Sequence, residues 1–112
     1  MAKTKTRATV TRSTGNVFAD LGLPRAEEKQ TQVRLAVAIN QIIHERRLSQ
    51  TQAAELLKLN QPKISALANY QLEGFSVERL MRFLNALGRD VEIVVRRGSK
   101  SRKAGKMLVT AA

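Results

Sequence analysis

Residues 50–69 constrain the fold more than any other part of the chain. The run QTQAAELLKLNQPKISALAN reads as two short helices joined by a tight turn. Ser49 precedes the first helix as an N-cap, and Gln52, three residues later, completes a capping box. Asn60 caps the second helix, and Pro62 falls in its first turn, where a missing N–H costs nothing. The pattern therefore predicts a helix, a turn and a second helix within this run.

The second of these helices has one apolar face and one outer face. Ile64 and Leu67, three residues apart, are predicted to face inward. The side chains left on the outer face are Gln61, Lys63, Ser65 and Ala66. Side chains of this kind suit contact with DNA better than packing into a core. The arrangement is that of a recognition helix lying in a major groove.

The segment from Leu48 to Asn69 resembles the helix-turn-helix of phage-repressor and Xre-type regulators. The matching residues are Ser49, Gln50, Ala54, Leu59, Gln61, Ile64 and Leu67. Residues 16–96 resemble, more narrowly, the Xre-type antitoxins of the HigA-like kind. The stretches that carry this likeness are residues 16–22, 61–67, 74–80 and 86–93. The sequence departs from the family at Lys58, where Gly is usual, so a turn that needs positive φ carries a small strain.

Each outer side chain has an expected contact. Gln61 can pair bidentately with an adenine edge, Lys63 can donate to guanine or to a phosphate, and Pro62 can touch a thymine methyl. Phosphate contacts are expected from Gln50, Gln52 and Ser65, and Ala66 completes the outer face. The resemblance implies the same roles for Gln50 and Gln61, which match the repressor motif position for position.

The helices on either side follow from the same signals. A short helical turn is predicted over Val17–Leu21, capped by Asn16. A long helix is predicted from Pro24 to about Arg47, and a last helix from its cap Ser76 to its stop at Gly88. The resulting fold class is all-α, a phage-repressor-like helix-turn-helix bundle with one addition at the C-terminal end.

That addition is a predicted β-strand over residues 90–96. Val91, Ile93 and Val95 share one face, and the β-branched run follows a helix-stopping Gly. A lone strand leaves its backbone groups unpaired, so we expect it to pair with the same strand of a second copy across a two-fold axis. The alternatives are an irregular coil or an extension of the last helix. A dimer would place two recognition helices on an inverted-repeat operator.

The positive charge of the chain is concentrated at its ends. The formal net charge is +11, yet residues 16–96 contribute only +2 of it. Residues 1–15 and 97–112 carry the remaining basic residues without any acid. We expect both ends to be disordered, because they have few large apolar side chains. They act either as phosphate-binding arms or as solubilising ends, around a single domain at 16–96.

An enzymatic function is not expected. His44 is the only histidine and there is no cysteine, so a Ser–His–Asp triad or a thiolate metal site cannot form within one chain. No Gly-rich phosphate loop and no apolar run of about 18 residues is present. We therefore predict no catalytic residues, cofactor, metal or membrane partner. The absence of cysteine fits a reducing cytosol, and the resemblance implies the bacterial cytoplasm and its nucleoid.

Three functions remain open on the sequence alone. The resemblance implies an antitoxin that represses its own operon and neutralises a RelE-like RNase toxin. The second is a stand-alone Xre-type regulator, of the prophage kind, with no toxin partner. The third is a nonspecific basic architectural protein that binds DNA through its two ends.

Overall fold

A computed structural model describes residues 25–100 and 104–111, and the chain forms four α-helices within these ranges. They are α1 (Arg25–Glu45), α2 (Gln50–Leu57), α3 (Gln61–Ala68) and α4 (Val77–Ala86). The long helix predicted to reach about Arg47 thus ends two residues earlier, at Glu45. The helical turn predicted over residues 17–21 lies outside the described residues.

The core lies where α1 and α4 pack together, with α2 and α3 closing one side. Apolar residues at helical spacing supply it from α1 and α4, as the sequence predicts. Its most deeply buried large side chains are Ile39, Leu67, Phe75 and Leu80. The rings of Phe75 and Phe83 meet edge to face, with centroids 5.9 Å apart. This core holds the α2–turn–α3 unit on the outside of the domain.

The predicted N-caps of α2, α3 and α4 are all confirmed. The Ser49 hydroxyl accepts from the Gln52 N–H at 3.1 Å, and Gln52 Oε1 accepts in return from the Ser49 N–H at 2.9 Å. The Asn60 side chain accepts from the backbone N–H of the third residue of α3 at 3.0 Å. Ser76 does the same at the start of α4, at 3.1 Å. Each cap satisfies a donor that the helix itself leaves unpaired.

The C-terminal ends of the helices share one closing geometry. In each, a backbone N–H reaches back to the carbonyl five residues earlier, at 2.9–3.0 Å, as in a Schellman motif. The residue before that N–H has positive φ in every case. These residues are Arg47 (φ 55°), Lys58 (φ 58°), Tyr70 (φ 60°) and Gly88 (φ 85°). Three of the four ends therefore place a side chain where glycine is the unstrained choice.

Lys58→Gly is expected to stabilise the domain. A residue with a Cβ in the left-handed conformation costs about 1–2 kcal/mol, and Lys58→Gly would remove this cost. Glycine is also more flexible in the unfolded chain, which lowers the stability by about 0.4–1 kcal/mol and offsets part of the gain. The net increase in the free energy of unfolding should be up to about 1.6 kcal/mol, measured by urea denaturation. Lys58→Ala is the matched control, because it removes the charge but keeps the Cβ. A Lys58→Gly variant less stable than Lys58→Ala by about 0.4–1 kcal/mol would show that the turn is unstrained.

The β-strand expected over residues 90–96 is not formed in the single chain. Residues 89–99 have neither helical nor strand hydrogen bonding. A strand needs a neighbouring strand to complete its ladder, and the described residues contain no strand. Val91 packs partly against the core instead, whereas Ile93, Val94 and Val95 are 40%, 56% and 75% exposed. The segment is thus an irregular coil with an exposed apolar run, which is one of the alternatives to the strand.

Part of the C-terminal end packs against the domain. Met107 and Val109 are partly buried against the core, in a segment without helix or strand. The backbone N–H of Met107 donates to Glu27 Oε2, at the start of α1, over 3.1 Å. The composition of residues 97–112 does not predict this contact, because its three large apolar side chains, Met107, Leu108 and Val109, stand in an otherwise small, polar and basic sequence.

Candidate nucleic-acid interface

The first turn of α3 is exposed on the surface of the domain. Gln61, Pro62 and Lys63 are all exposed, while Ile64 and Leu67 are buried beneath them, as the sequence predicts. Leu59 fixes the turn by inserting into the core. No acidic residue lies in the first turn of α2 or α3, so the positive ends of both helix dipoles are uncompensated there. This surface suits a polyanion.

The side chains of Gln50 and Gln61 meet across the turn. Gln61 Nε2 donates a hydrogen bond to Gln50 Oε1, joining the first residue of α2 to the first residue of α3. The bond leaves Gln61 with one N–H and its carbonyl oxygen free, side by side. The major-groove edge of adenine also carries one donor and one acceptor, so it can form two hydrogen bonds with such an amide. Gln50 therefore orients the side chain predicted to read a base.

Gln52 caps α2, in addition to the phosphate contact expected of it. Its Oε1 is occupied by the capping box with Ser49, so only its amide N–H groups remain for an anion. The expected phosphate contact from Gln52 is accordingly confined to that –NH₂ group.

Ser65 and Ala66 are less accessible than the sequence suggests. Both are half-buried, and Ala66 packs against the core. The reason is that the chain leaving α3 turns back on this side, where the Gln71 N–H donates to the Ala66 carbonyl at 2.9 Å. The accessible part of α3 is thus its first turn, not its whole outer face.

Two cations flank the aromatic pair beside α3. Lys63 Nζ lies 5.4 Å from the centroid of the Phe75 ring, so its side chain folds toward the loop before α4. The Arg79 guanidinium lies 5.4 Å from the Phe75 centroid and 5.6 Å from that of Phe83. Arg79 Nη1 also donates to the Gly74 carbonyl at 3.2 Å. Each such cation–π contact contributes about 0.5–1 kcal/mol at an exposed site.

Arg79 was not among the residues singled out from the sequence. The sequence gives no sign that a residue in the first turn of α4 belongs to this surface. The Arg79 guanidinium lies near α3 only because of the way Phe75 packs. It extends the positive surface of α3 toward the loop at residues 70–76.

The described residues offer little support for other kinds of site. They contain no group of three or more His, Asp or Glu side chains arranged to hold a metal ion. In the same ranges, no helix has the length and apolar character needed to cross a membrane.

Comparison with known proteins gives one family and one solved relative. The family described as "Helix-turn-helix domain" matches residues 17–96, which is most of the chain. A solved structure described as an XRE family transcriptional regulator is 61% identical, with a TM-score of 0.75. The match covers 80% of this chain and 100% of that one. No curated protein matches. Neither matching description mentions a toxin.

Proposed function

The chain belongs to the helix-turn-helix family and, within it, to the XRE-type transcriptional regulators, and we propose from this premise that it binds a specific DNA operator through α3. The observation that carries the proposal is the exposed Gln61 side chain, held by Gln50 with a donor and an acceptor free. A residue placed this way at the start of a recognition helix meets base edges when that helix enters a major groove. The proposed place of action is the nucleoid, in the cytoplasm.

The other contacts follow from this docking. Pro62 lies beside Gln61 and would meet a thymine methyl. Lys63 reaches a guanine or a phosphate by leaving the Phe75 ring, which costs about 0.5–1 kcal/mol. The free amide N–H groups of Gln50 and Gln52, with the Ser65 hydroxyl, are proposed to contact phosphates on either side.

We propose that the protein binds this operator as a homodimer. The exposed β-branched run Ile93–Val95 supports the proposal, because it lies outside the four helices and presents an apolar surface. Pairing with the same segment of a second copy would bury that surface and complete a strand ladder. The two α3 helices would then reach successive major grooves about 34–36 Å apart, as an inverted repeat requires. Val91, partly buried on its own core, would contribute less to this interface.

A stand-alone regulator is better supported than an antitoxin. The solved relative is described as a regulator, and the antitoxin function rests on the sequence resemblance alone. Co-expression with the product of the neighbouring gene, followed by size-exclusion chromatography, separates the two. A stable complex that relieves toxicity of a RelE-like neighbour supports the antitoxin; separate elution supports the stand-alone regulator.

Removing the terminal charges is expected to weaken salt dependence without changing the preferred sequence. The variant lacks residues 1–12 and carries Gln at Lys100, Arg102, Lys103 and Lys106. It keeps Met107 and Val109, because deletion would also remove their packing. Each lost phosphate contact should lower the slope of log affinity against log salt by about 0.9.

Arg34→Gln, at an exposed position on α1, controls for the loss of charge elsewhere. An unchanged slope would make the termini solubilising ends. Loss of all binding, specific and nonspecific, would favour the architectural function instead.

A further inference from the structure

Two cations meet at one aromatic ring beside α3. Lys63 Nζ and the Arg79 guanidinium each lie 5.4 Å from the centroid of the Phe75 ring. The ring itself is buried, whereas Lys63 is exposed and Arg79 is half-buried. Neither cation forms an ion pair with a carboxylate of the described residues. Two uncompensated like charges at one surface attract an anion.

Gly74 lies beside both cations. Its carbonyl oxygen accepts from Arg79 Nη1 at 3.2 Å, and a Cβ added to it would lie 3.4 Å from Lys63 Nζ. Its φ of 87° is in the left-handed region, which disfavours any residue with a Cβ. The loop therefore presents bare backbone next to the two charges, and the remaining N–H groups of the guanidinium and the ammonium are available to a ligand.

The position of Lys63 on α3 directs it toward one wall of a major groove. Lys63 lies two residues after Gln61, so its side chain leaves the helix about 200° further round. It meets the Phe75 ring on the side of α3 where the chain enters α4. A major groove is about 12 Å wide, so a helix that lies in it has phosphates on either side. Lys63 therefore faces the phosphates at one wall and not the base edges.

The two contacts open to Lys63 differ in what they require. A phosphate at this wall is reached by a short displacement of the ammonium, whereas a guanine edge requires the whole side chain to swing away from the ring. The swing gives up the entire cation–π contact, about 0.5–1 kcal/mol. Arg79 is already fixed by the Phe75 and Phe83 rings, and its planar fork of N–H donors matches a phosphate.

We propose that Lys63 and Arg79 form a binding site for phosphates of the DNA backbone, and that Lys63 does not read a base. The assignment rests on the proposed docking of α3 in a major groove. It leaves hydrogen bonding to base edges to Gln61, and it adds to the interface a residue from outside the helix-turn-helix unit. Phosphate contacts fix the register of α3 on the duplex without selecting a sequence.

Lys63→Gln and Arg79→Gln test the site on two duplexes, one selected by the wild-type protein and one of unrelated sequence. Each variant should weaken binding to both duplexes by the same factor. Each should also lower the slope of log affinity against log salt by about 1 for each bound copy. Selection from random duplexes should give Lys63→Gln and the wild type the same preferred sequence. Arg34→Gln, which removes an exposed charge from α1, is the matched control and should change none of these.

A second substitution covers the case in which Arg79→Gln disturbs the packing of α4. Arg79→Lys keeps the charge, so it should keep most of the salt slope. Its Tm reports the loss of the guanidinium from the Phe75 and Phe83 rings. A purely structural Arg79 would instead lower Tm in both variants and leave the slope of both at the wild-type value.

The outcomes separate this site from the proposed function. An altered preference of Lys63→Gln at one base position would overturn the phosphate assignment, because Lys63 would then read that base. Wild-type slopes in both Gln variants would overturn the site as a whole. A wild-type protein that selects no sequence, while both variants still lose affinity for the unrelated duplex, would refute sequence-specific binding and support the phosphate site.

Discussion

Gln61→Ala is expected to weaken specific operator binding strongly while leaving the fold intact. Loss of a bidentate base contact costs about 1–3 kcal/mol per half-site. Two half-sites make this a loss of roughly 30-fold to 10⁴-fold in affinity, at 1.4 kcal/mol per tenfold. The side chain is exposed and its hydrogen bond goes to the exposed Gln50, so Tm should hardly move. Electrophoretic mobility shift with operator and with unrelated DNA measures the ratio of the two affinities.

Two controls sharpen this experiment. Gln41→Ala removes an exposed glutamine from α1 and should leave the affinity ratio unchanged. Gln50→Ala should weaken specific binding less than Gln61→Ala, because Gln61 remains and only loses the hydrogen bond that orients it. Gln61→Glu should favour cytosine at the contacted position, since a carboxylate only accepts. A wild-type affinity ratio in Gln61→Ala would remove Gln61 from base reading.

Ile93→Pro is expected to give a monomer whose operator affinity is lower by about 10²–10⁴-fold, the gain that joining two binding modules confers. Proline lacks the N–H that a ladder needs and is excluded from central strands. Residue 93 lies in the irregular segment beyond α4, so the four helices should remain, as far-UV circular dichroism can check. Sedimentation velocity at micromolar concentration gives the mass of the particle.

Ile93→Thr is the matched control for this variant. It removes apolar surface but keeps the N–H and the β-branched shape, so pairing should be weakened rather than lost. Dimers in both variants would show that residues 91–95 do not form the interface. A wild-type protein that is monomeric at high concentration would remove the inverted-repeat operator as well.

The parts of the fold that depend on neighbouring residues could be predicted from the sequence. The caps at Ser49, Asn60 and Ser76 each bond three residues ahead, so the residue types alone indicate them. The burial of Ile64 and Leu67 follows from helical spacing for the same reason. Helical spacing also predicts the exposure of Gln61, the central residue of the candidate site.

The parts that depend on distant residues could not be predicted. The contact between Met107 and Glu27 joins positions 80 apart, and Arg79 reaches the surface of α3 only through the rings of Phe75 and Phe83. The bond from Gln61 to Gln50 needs the geometry of the turn. The predicted strand failed for a different reason: a strand forms only beside a partner strand, and residues 25–100 and 104–111 contain none.

Selection of binding sites from a randomised duplex library tests the central claim most directly. The claim is that a dimer reads DNA through the first turn of α3. It predicts that the wild-type protein enriches an inverted repeat with half-site centres about 10–10.5 base pairs apart. Gln61→Ala should lose its preference at one symmetric position in each half-site. Enrichment of no sequence, or of one that Gln61→Ala enriches equally well, would contradict it.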